Sequence, residues 1–235
     1  MSLYKNAFYW FVGLLVLLFI GFWKSYFSVL DDVGHVTHHF HAISMLLWII
    51  LLIAQSWLIR NGRNAQHRSI GKLSFLIAPA VLITGVMVTI YSQAHAEEPL
   101  APFSQSILWF GFFSSGLFAI MYGLAIYNRK NMQLHARYMV ATSLVFIVPG
   151  LSRAVAQYIG PTGIWIPDFY QITWVPFLIG LWLMSLDWRR GRTIRPFLVL
   201  NVLWAINLVL WVVLPTWNWW GTFSAWTASS FWLTS

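Results

Sequence analysis

The chain of 235 residues has no cysteine and very few charged side chains. Without cysteine it cannot form disulfides, thiolate metal sites or cysteine-held iron–sulfur clusters, so any bound metal needs nitrogen and oxygen ligands. Charged residues make up 9% of the chain and hydrophobic residues 59%, whereas soluble domains carry about 25% charged residues. Together with a mean hydropathy of +0.69, this composition indicates a protein that resides in lipid.

Seven apolar runs alternate with short polar loops, and a helix needs about 20 apolar residues to cross the hydrocarbon core of a bilayer. We therefore predict an all-α integral membrane bundle of seven transmembrane helices, which form a single domain over residues 1–235. The predicted spans are Ala7–Phe22, Ala42–Leu58, Leu73–Tyr91, Ile107–Tyr127, Tyr138–Tyr158, Ile172–Leu186 and Pro196–Leu214. Pro79 and Pro149 predict breaks in the third and fifth spans, which neighbouring helices can tolerate.

The charges divide between the two ends of these spans. The basic residues at one end are Lys5, Arg60, Arg63, Arg68, Lys72, Arg129, Lys130, Arg137, Arg189, Arg190, Arg192 and Arg195. The acidic residues at the other end are Asp31, Asp32, Glu97, Glu98 and Asp168. Because basic loops stay in the cytoplasm, we predict a cytoplasmic N-terminus and a C-terminus outside. The net charge of +8 then reflects topology, and we expect no nucleic-acid partner.

The stretch DDVGHVTHHFH, residues 31 to 41, concentrates two aspartates and four of the seven histidines on the outer side. If the stretch is helical, Asp31, His35 and His38 or His39 fall on one stripe of the helix. Such a stripe offers nitrogen and oxygen ligands for zinc, copper or non-haem iron. The ligands of this predicted metal site are Asp31, His35, His38, His39, His41 and His95. The alternatives are a solvated interfacial loop and a proton-sensing cluster.

Two further histidines precede arginines at the basic ends of the third and fifth spans: His67 before Arg68, and His135 before Arg137. Imidazoles from two helices can hold the iron of a b-type haem between them, with the two arginines placed to pair with its propionates. In the same scheme an outer haem uses His38 or His41 with His95. The alternative is that each His-Arg step only binds lipid phosphate or a neighbouring loop.

Arg153 is the one arginine inside a predicted span, about 24 Å along the helix from Arg137. At that depth it either snorkels to the outer interface or pairs with an acidic side chain or a bound anionic group. It is therefore a further candidate for cofactor binding. Beyond the last span, WNWWGTFSAWTASSFW predicts an interfacial segment, since tryptophan prefers the headgroup zone. A contact with lipid, quinone or a partner subunit is the alternative for this segment.

Two stretches resemble a family of uncharacterised bacterial polytopic membrane proteins. QSWLIRNGRNAQHRSIGKLSF is similar to its His-Arg-x-x-Gly-Lys/Arg step, and LHARYMVATSLVFIVPGLSRA to its His-x-Arg-x-Met step. The positions that match the pattern are His41, His67, Arg68, Gly71, His135, Arg137, Met139 and Arg153. The resemblance covers roughly residues 41 to 155 and implies a multi-pass protein of the bacterial inner membrane, without an activity. The His-Arg step also resembles oxidase-maturation membrane proteins that handle haem.

Three functions are compatible with these features. The favoured hypothesis is a metal- or haem-binding membrane protein in electron transfer or cofactor handling, and an oxidoreductase if it is an enzyme. Its cofactor is then a copper, zinc or iron ion or a b-type haem. The second hypothesis is a small-solute or ion transporter, which the breaks at Pro79 and Pro149 would suit. The third is an accessory subunit of a larger membrane complex, with the lipid bilayer, a quinone or a partner subunit as its contacts.

Overall fold

The computed structural model describes residues 6–32, 35–162 and 168–229, and every regular element in these ranges is helical. The prediction of an all-α fold is therefore confirmed for the described residues. Six segments are long and apolar enough to cross a membrane, judged by length and composition: Val36–Arg60, Asn64–Ala94, Pro102–Tyr127, Met132–Thr162, Phe169–Arg189 and Arg195–Thr216. A shorter apolar helix of 16 residues, Ala7–Phe22, precedes them. The seventh crossing stays a prediction.

The helices are numbered here in chain order. They are α1 Ala7–Phe22, α2 Val36–Arg60, α3 Asn64–Ile70, α4 Ser74–Ala94, α5 Pro102–Tyr127, α6 Met132–Leu144, α7 Ile147–Ala154, α8 Phe169–Ile172, α9 Trp174–Arg189, α10 Arg195–Val213 and α11 Asn218–Ala228. A π-helical turn, Val155–Ile159, continues α7. Helix α1 packs against α2 and α7, α4 packs against α2 and α5, and α10 packs against α5, α6 and α9.

The two prolines inside predicted spans act differently. Helix α6 ends at Leu144, and a turn at Val145 and Phe146 separates it from α7, which contains Pro149. Proline lacks an N–H and its ring crowds the carbonyl four residues earlier, which here is that of Val145. The predicted break therefore forms about one turn before Pro149, at Val145 and Phe146. The one predicted at Pro79 is wrong, because α4 continues through that residue.

The bundle has two chemically different ends. We call the end with Asn61, Asn128 and Arg190 the basic end, and the end with Lys24 and Glu97 the acidic end. Helix α1 reaches both ends. The Arg60 guanidinium lies 4.9 Å from the Tyr9 ring centre, and the Lys24 ammonium lies 4.7 Å from the Tyr158 ring centre. Near the middle of the bundle, aromatic side chains such as Trp48, Phe118 and Trp204 are fully buried.

The tryptophan-rich C-terminal segment forms helix α11 and folds back on the acidic end. The Gln93 side-chain amide donates to the Ser224 hydroxyl at 2.7 Å, and the Trp220 indole donates to the Gln105 carbonyl at 3.3 Å. On the opposite face of α11, the indole rings of Trp219 and Trp226 are exposed. Helix α11 thus forms hydrogen bonds to the bundle on one side and exposes indole rings on another. This arrangement suits the interfacial position predicted for the segment, which stays a prediction.

Candidate functional site

The outer histidine stretch is not one helix. Helix α2 begins at Val36, and His35 before it has an extended backbone, with φ −140° and ψ 136°. The His35 Nδ1 accepts a hydrogen bond of 3.3 Å from the Thr37 backbone N–H and so caps the first turn. Asp31 belongs to a separate 3₁₀ segment and is exposed. The predicted helical stripe of Asp31, His35 and His38 is therefore wrong, because the helix starts after His35.

Three of the outer histidines surround Tyr91 of α4. The Tyr91 ring centre lies 4.5 Å from that of His35 and 4.0 Å from that of His95, with interplanar angles of 24° and 21°. Two rings stacked this closely must occupy opposite faces of the phenol, and His38 meets its edge at 5.0 Å. We call these four residues the Tyr91 cluster. A tyrosine ring occupies the centre where the sequence predicted a metal ion.

The other two outer histidines point to different neighbours. The His39 Nδ1 shares a hydrogen bond of 3.0 Å with the Tyr26 hydroxyl, and burial raises the pKa of Tyr26 above its ordinary value. The His41 Nδ1 shares a hydrogen bond of 3.2 Å with the Thr84 hydroxyl. Within residues 6–32, 35–162 and 168–229, no three His, Asp or Glu side chains form a group that could hold a metal ion. The outer metal site stays a prediction that this geometry does not support.

The two inner histidines come together at the basic end. His67 of α3 and His135 of α6 have ring centres 6.5 Å apart, and their planes are inclined by 78°. The His135 Nδ1 lies 2.9 Å from the Ala125 carbonyl oxygen at the end of α5. We call His67 and His135 the basic-end pair. Each ring is half-buried, so a bound group would be partly screened from water.

Gln55 of α2 holds the His67 turn in place. In the orientation that its backbone neighbours dictate, its amide nitrogen donates to the His67 carbonyl at 3.0 Å and to the His67 Nδ1, and its oxygen accepts from the Gly71 N–H at 3.1 Å. The Ser74 hydroxyl donates to the Gly71 carbonyl at 2.7 Å, and the Tyr122 hydroxyl donates to Ser74 at 3.0 Å. These bonds fix the His-Arg-x-x-Gly-Lys step against α2 and α5.

The hydrogen bonds assign complementary tautomers to the basic-end pair. A carbonyl oxygen only accepts, so the His135 Nδ1 is protonated and its Nε2 has a free lone pair. The His67 Nδ1 accepts from Gln55, so the neutral ring has its proton on Nε2. A rotation of the Gln55 amide by half a turn reverses the His67 tautomer. The Nε2 atoms of His67 and His135 then both carry a free lone pair, whereas before the rotation one is a donor and the other an acceptor.

The three candidate arginines lie in different surroundings. Arg68 is exposed beside His67. Arg137 is fully buried and forms two hydrogen bonds with the Asp187 carboxylate of α9, Nε–Oδ2 at 2.6 Å and Nη2–Oδ1 at 2.7 Å. Arg153 is exposed on α7, far from the basic-end pair. Of the three, Arg68 is available to a group bound between the inner histidines.

Sequence reasoning missed Gln55, Tyr91 and Asp187. The sequence did contain a signal for Asp187, since it is the one acidic residue among the loops that contain nearly all the basic residues. The sequence contains no such signal for Gln55 and Tyr91, because a single amide or phenol within an apolar run is common in membrane helices. Their roles depend on which helices are neighbours, and that is visible only in the fold.

Comparisons of the chain with protein-family models, curated proteins and solved structures gave no match. The resemblance to a polytopic membrane family therefore stays a prediction. The function has to be argued from the geometry of these two histidine groups.

Proposed function

We propose that this multi-pass membrane protein binds a metal-centred cofactor at the basic-end pair and serves in electron transfer or cofactor handling. The observation that supports this proposal is the 6.5 Å separation between the ring centres of His67 and His135, which belong to different helices. Two imidazoles that share one metal ion at about 2.0–2.1 Å place their ring centres about 5–6.5 Å apart. In addition, the Ala125 carbonyl orients the His135 ring, as second-shell groups orient metal-binding histidines.

A b-type haem fits this pair better than a bare ion. The two imidazoles would hold a haem once the Gln55 amide is rotated, because each Nε2 then carries a lone pair. A zinc ion takes three or four protein ligands, and no third His, Asp or Glu joins the pair among the described residues. Arg68 is placed to pair with a propionate, whereas Arg137 is already paired with Asp187. When bound, the haem supplies one-electron chemistry near the basic end.

The visible spectrum of the protein, purified in mild detergent from cells supplied with haem precursor, tests this proposal. We expect a Soret band and about one haem per chain in the wild type. His67→Ala and His135→Ala should each lose most of the haem, because one of the two imidazoles that would hold it is removed. His39→Ala is the matched control, since His39 lies at the opposite end and bonds Tyr26. A wild type without a Soret band, or equal haem content in all variants, contradicts the proposal.

Gln55→Glu gives a second test of the same site. A carboxylate beside the His67 Nδ1 favours the tautomer with its proton on Nδ1 and accepts a hydrogen bond from it, which leaves the Nε2 lone pair free for a metal and makes the imidazole a stronger ligand. We expect the haem to be held about 10-fold more tightly, measured by transfer to apomyoglobin. Gln55→Leu removes the hydrogen bonds to the His67 carbonyl and the Gly71 N–H that hold the His67 turn, and should therefore weaken retention. Equal haem-transfer rates for both variants would argue against ligation by His67.

The tautomers also favour a second candidate, proton-linked transport of a small solute. The Nε2 of His67 is a donor and that of His135 an acceptor, so a guest held between them can exchange a proton with both. In this case the protein contains no haem, and Gln55→Glu slows proton movement because the His67 donor is lost. Proton uptake into proteoliposomes, together with the spectrum, separates the two functions.

We further propose the cytoplasmic side for the basic end, with α1 as a seventh crossing and the bacterial inner membrane as the location. Because the chain has no cysteine, single-cysteine variants can be labelled without background. In intact cells we expect an impermeant maleimide to label exposed Ser25→Cys and Glu97→Cys, but not exposed Asn6→Cys or Asn61→Cys. After permeabilisation all four should react. Labelling of Asn6→Cys from outside would show that α1 does not cross.

A further inference from the structure

Most basic residues of the chain lie at the basic end, but two lie near the acidic end. Lys24 and Arg153 are the basic residues that do not belong to the basic end. Both lie where α1 meets α7, close to the acidic end. Helices α1 and α7 pack closely along their length, so the two side chains flank one seam between helices. We call this place the α1–α7 seam.

The Arg153 guanidinium is already oriented by the protein. Its Cζ lies 4.5 Å from the ring centre of Phe22, and its Nη1 donates to the Pro149 carbonyl at 3.2 Å. A guanidinium has five N–H donors, so these contacts leave most of them unused. The residue is exposed within a segment that is long and apolar enough to span a membrane, so the unused donors are accessible to a bound group.

The Lys24 ammonium lies at the end of the same seam. It donates to the Gln157 carbonyl at 3.2 Å and lies 4.7 Å from the ring centre of Tyr158. The carbonyls that the two cations meet, those of Pro149 and Gln157, are eight residues apart, which is about two turns, or about 12 Å, along a helix. The two cations therefore lie at different depths along the same seam, with the Arg153 guanidinium about two turns deeper in the bundle than the Lys24 ammonium.

Neither cation has a carboxylate partner among the side chains that the structure describes. In the described part of the chain, no carboxylate oxygen lies within 4.0 Å of Lys24 or Arg153, whereas Arg137 has Asp187. An unpaired arginine at the lipid-facing surface of a span is costly unless an anion or water meets it. In a bilayer, headgroup phosphates are the anions that such an arginine can meet near the interface.

We propose that Lys24 and Arg153 bind the headgroup of an anionic phospholipid in the leaflet at the acidic end. The guanidinium forms charge-assisted hydrogen bonds to the phosphate oxygens, and the ammonium attracts the same headgroup from closer to water. Phe22 and Tyr158 lie beside the upper part of the acyl chains. The lipid thus binds across α1 and α7 and ties the first helix to the bundle.

Native mass spectrometry of the full chain in detergent tests this site, with phosphatidylglycerol, phosphatidylcholine and inorganic phosphate as separate probes. We expect the wild type to retain one more phosphatidylglycerol than Lys24→Ala/Arg153→Ala. The charge-preserving variant Lys24→Arg/Arg153→Lys should keep that lipid. Phosphatidylcholine and inorganic phosphate should not distinguish the variants, because the former is zwitterionic and the latter lacks acyl chains.

Arg63→Ala is the matched control, since its guanidinium lies 4.8 Å from the Trp57 ring centre in a similar arrangement at the basic end. It should retain the same number of lipids as the wild type. If the double alanine variant does not fold, Arg153→Gln keeps a donor for the Pro149 carbonyl and removes the charge. An unchanged lipid count in these variants, an equal loss in Arg63→Ala, or equal retention of phosphatidylcholine overturns the proposal.

Discussion

Asp187→Ala is expected to lower the free energy of unfolding by about 3–5 kcal/mol, the largest effect of any single substitution considered for this chain. The Arg137 and Asp187 side chains are 0% and 1% exposed, so water cannot replace the lost carboxylate. Arg137 would then keep a buried charge that has lost two hydrogen bonds of 2.6 and 2.7 Å. The penalty comes from a buried charge that has lost its carboxylate more than from the attraction that is removed.

Unfolding of the purified protein by SDS, followed by tryptophan fluorescence, measures this effect. Arg137→Met/Asp187→Leu should be markedly less destabilised than Asp187→Ala, because no charge remains buried. Glu98→Ala is the matched control, since Glu98 is an exposed acid and its loss should change stability by no more than about 0.5 kcal/mol. A double variant as unstable as the sum of its single variants would contradict this explanation.

The ion pair also bears on the proposed cofactor site. Arg137 and His135 lie two residues apart on α6, and Asp187 fixes that helix to α9. The Arg137 Nη1 further donates to the Gln133 carbonyl at 2.9 Å, which stiffens the first turns of α6. Asp187→Ala should therefore reduce haem retention without touching a ligand, because it loosens the helix that positions His135.

The apolar helices were largely predictable because apolar length is a requirement of the bilayer and does not depend on packing. The predicted span Ala7–Phe22 coincides with α1, and the predicted span Pro196–Leu214 is one residue displaced from α10, Arg195–Val213. The predicted span Ala42–Leu58 fell short of α2, which runs from Val36 to Arg60. The first two turns of α2 contain His38, His39 and His41. Because a search for apolar runs leaves out polar residues, the predicted span began after them.

The candidate site was less predictable, because side-chain direction depends on neighbours that the sequence does not specify. Spacing suggested that Asp31 and His35 share a helix face, but the His35 ring instead caps α2 and stacks on Tyr91. His67 and His135 were expected to face each other, and their ring centres lie 6.5 Å apart. The tautomer that decides what they can bind is set by Gln55, which no motif had indicated.

Gly21→Ala is expected to destabilise the protein by about 1–3 kcal/mol, the second large effect. A methyl group at Gly21 would overlap the Gly150 carbonyl oxygen and lie 2.9 Å from its carbonyl carbon and 3.0 Å from its Cα. Those atoms belong to the backbone of α7 and cannot rotate away, so α1 and α7 must separate. Within lipid, close packing of this kind is a main source of attraction between helices.

Gly13→Ala on the same helix is the matched control, because nothing lies within 4 Å of a methyl group there. It should leave stability unchanged or raise it by about 0.5–1 kcal/mol, since alanine is the better helix former. Gly21→Ala should also lose the phosphatidylglycerol bound by Lys24 and Arg153, because the α1–α7 seam opens. SDS unfolding and lipid counting on the two variants check both expectations. Equal stability of Gly13→Ala and Gly21→Ala would mean that α1 does not depend on its contact with Gly150.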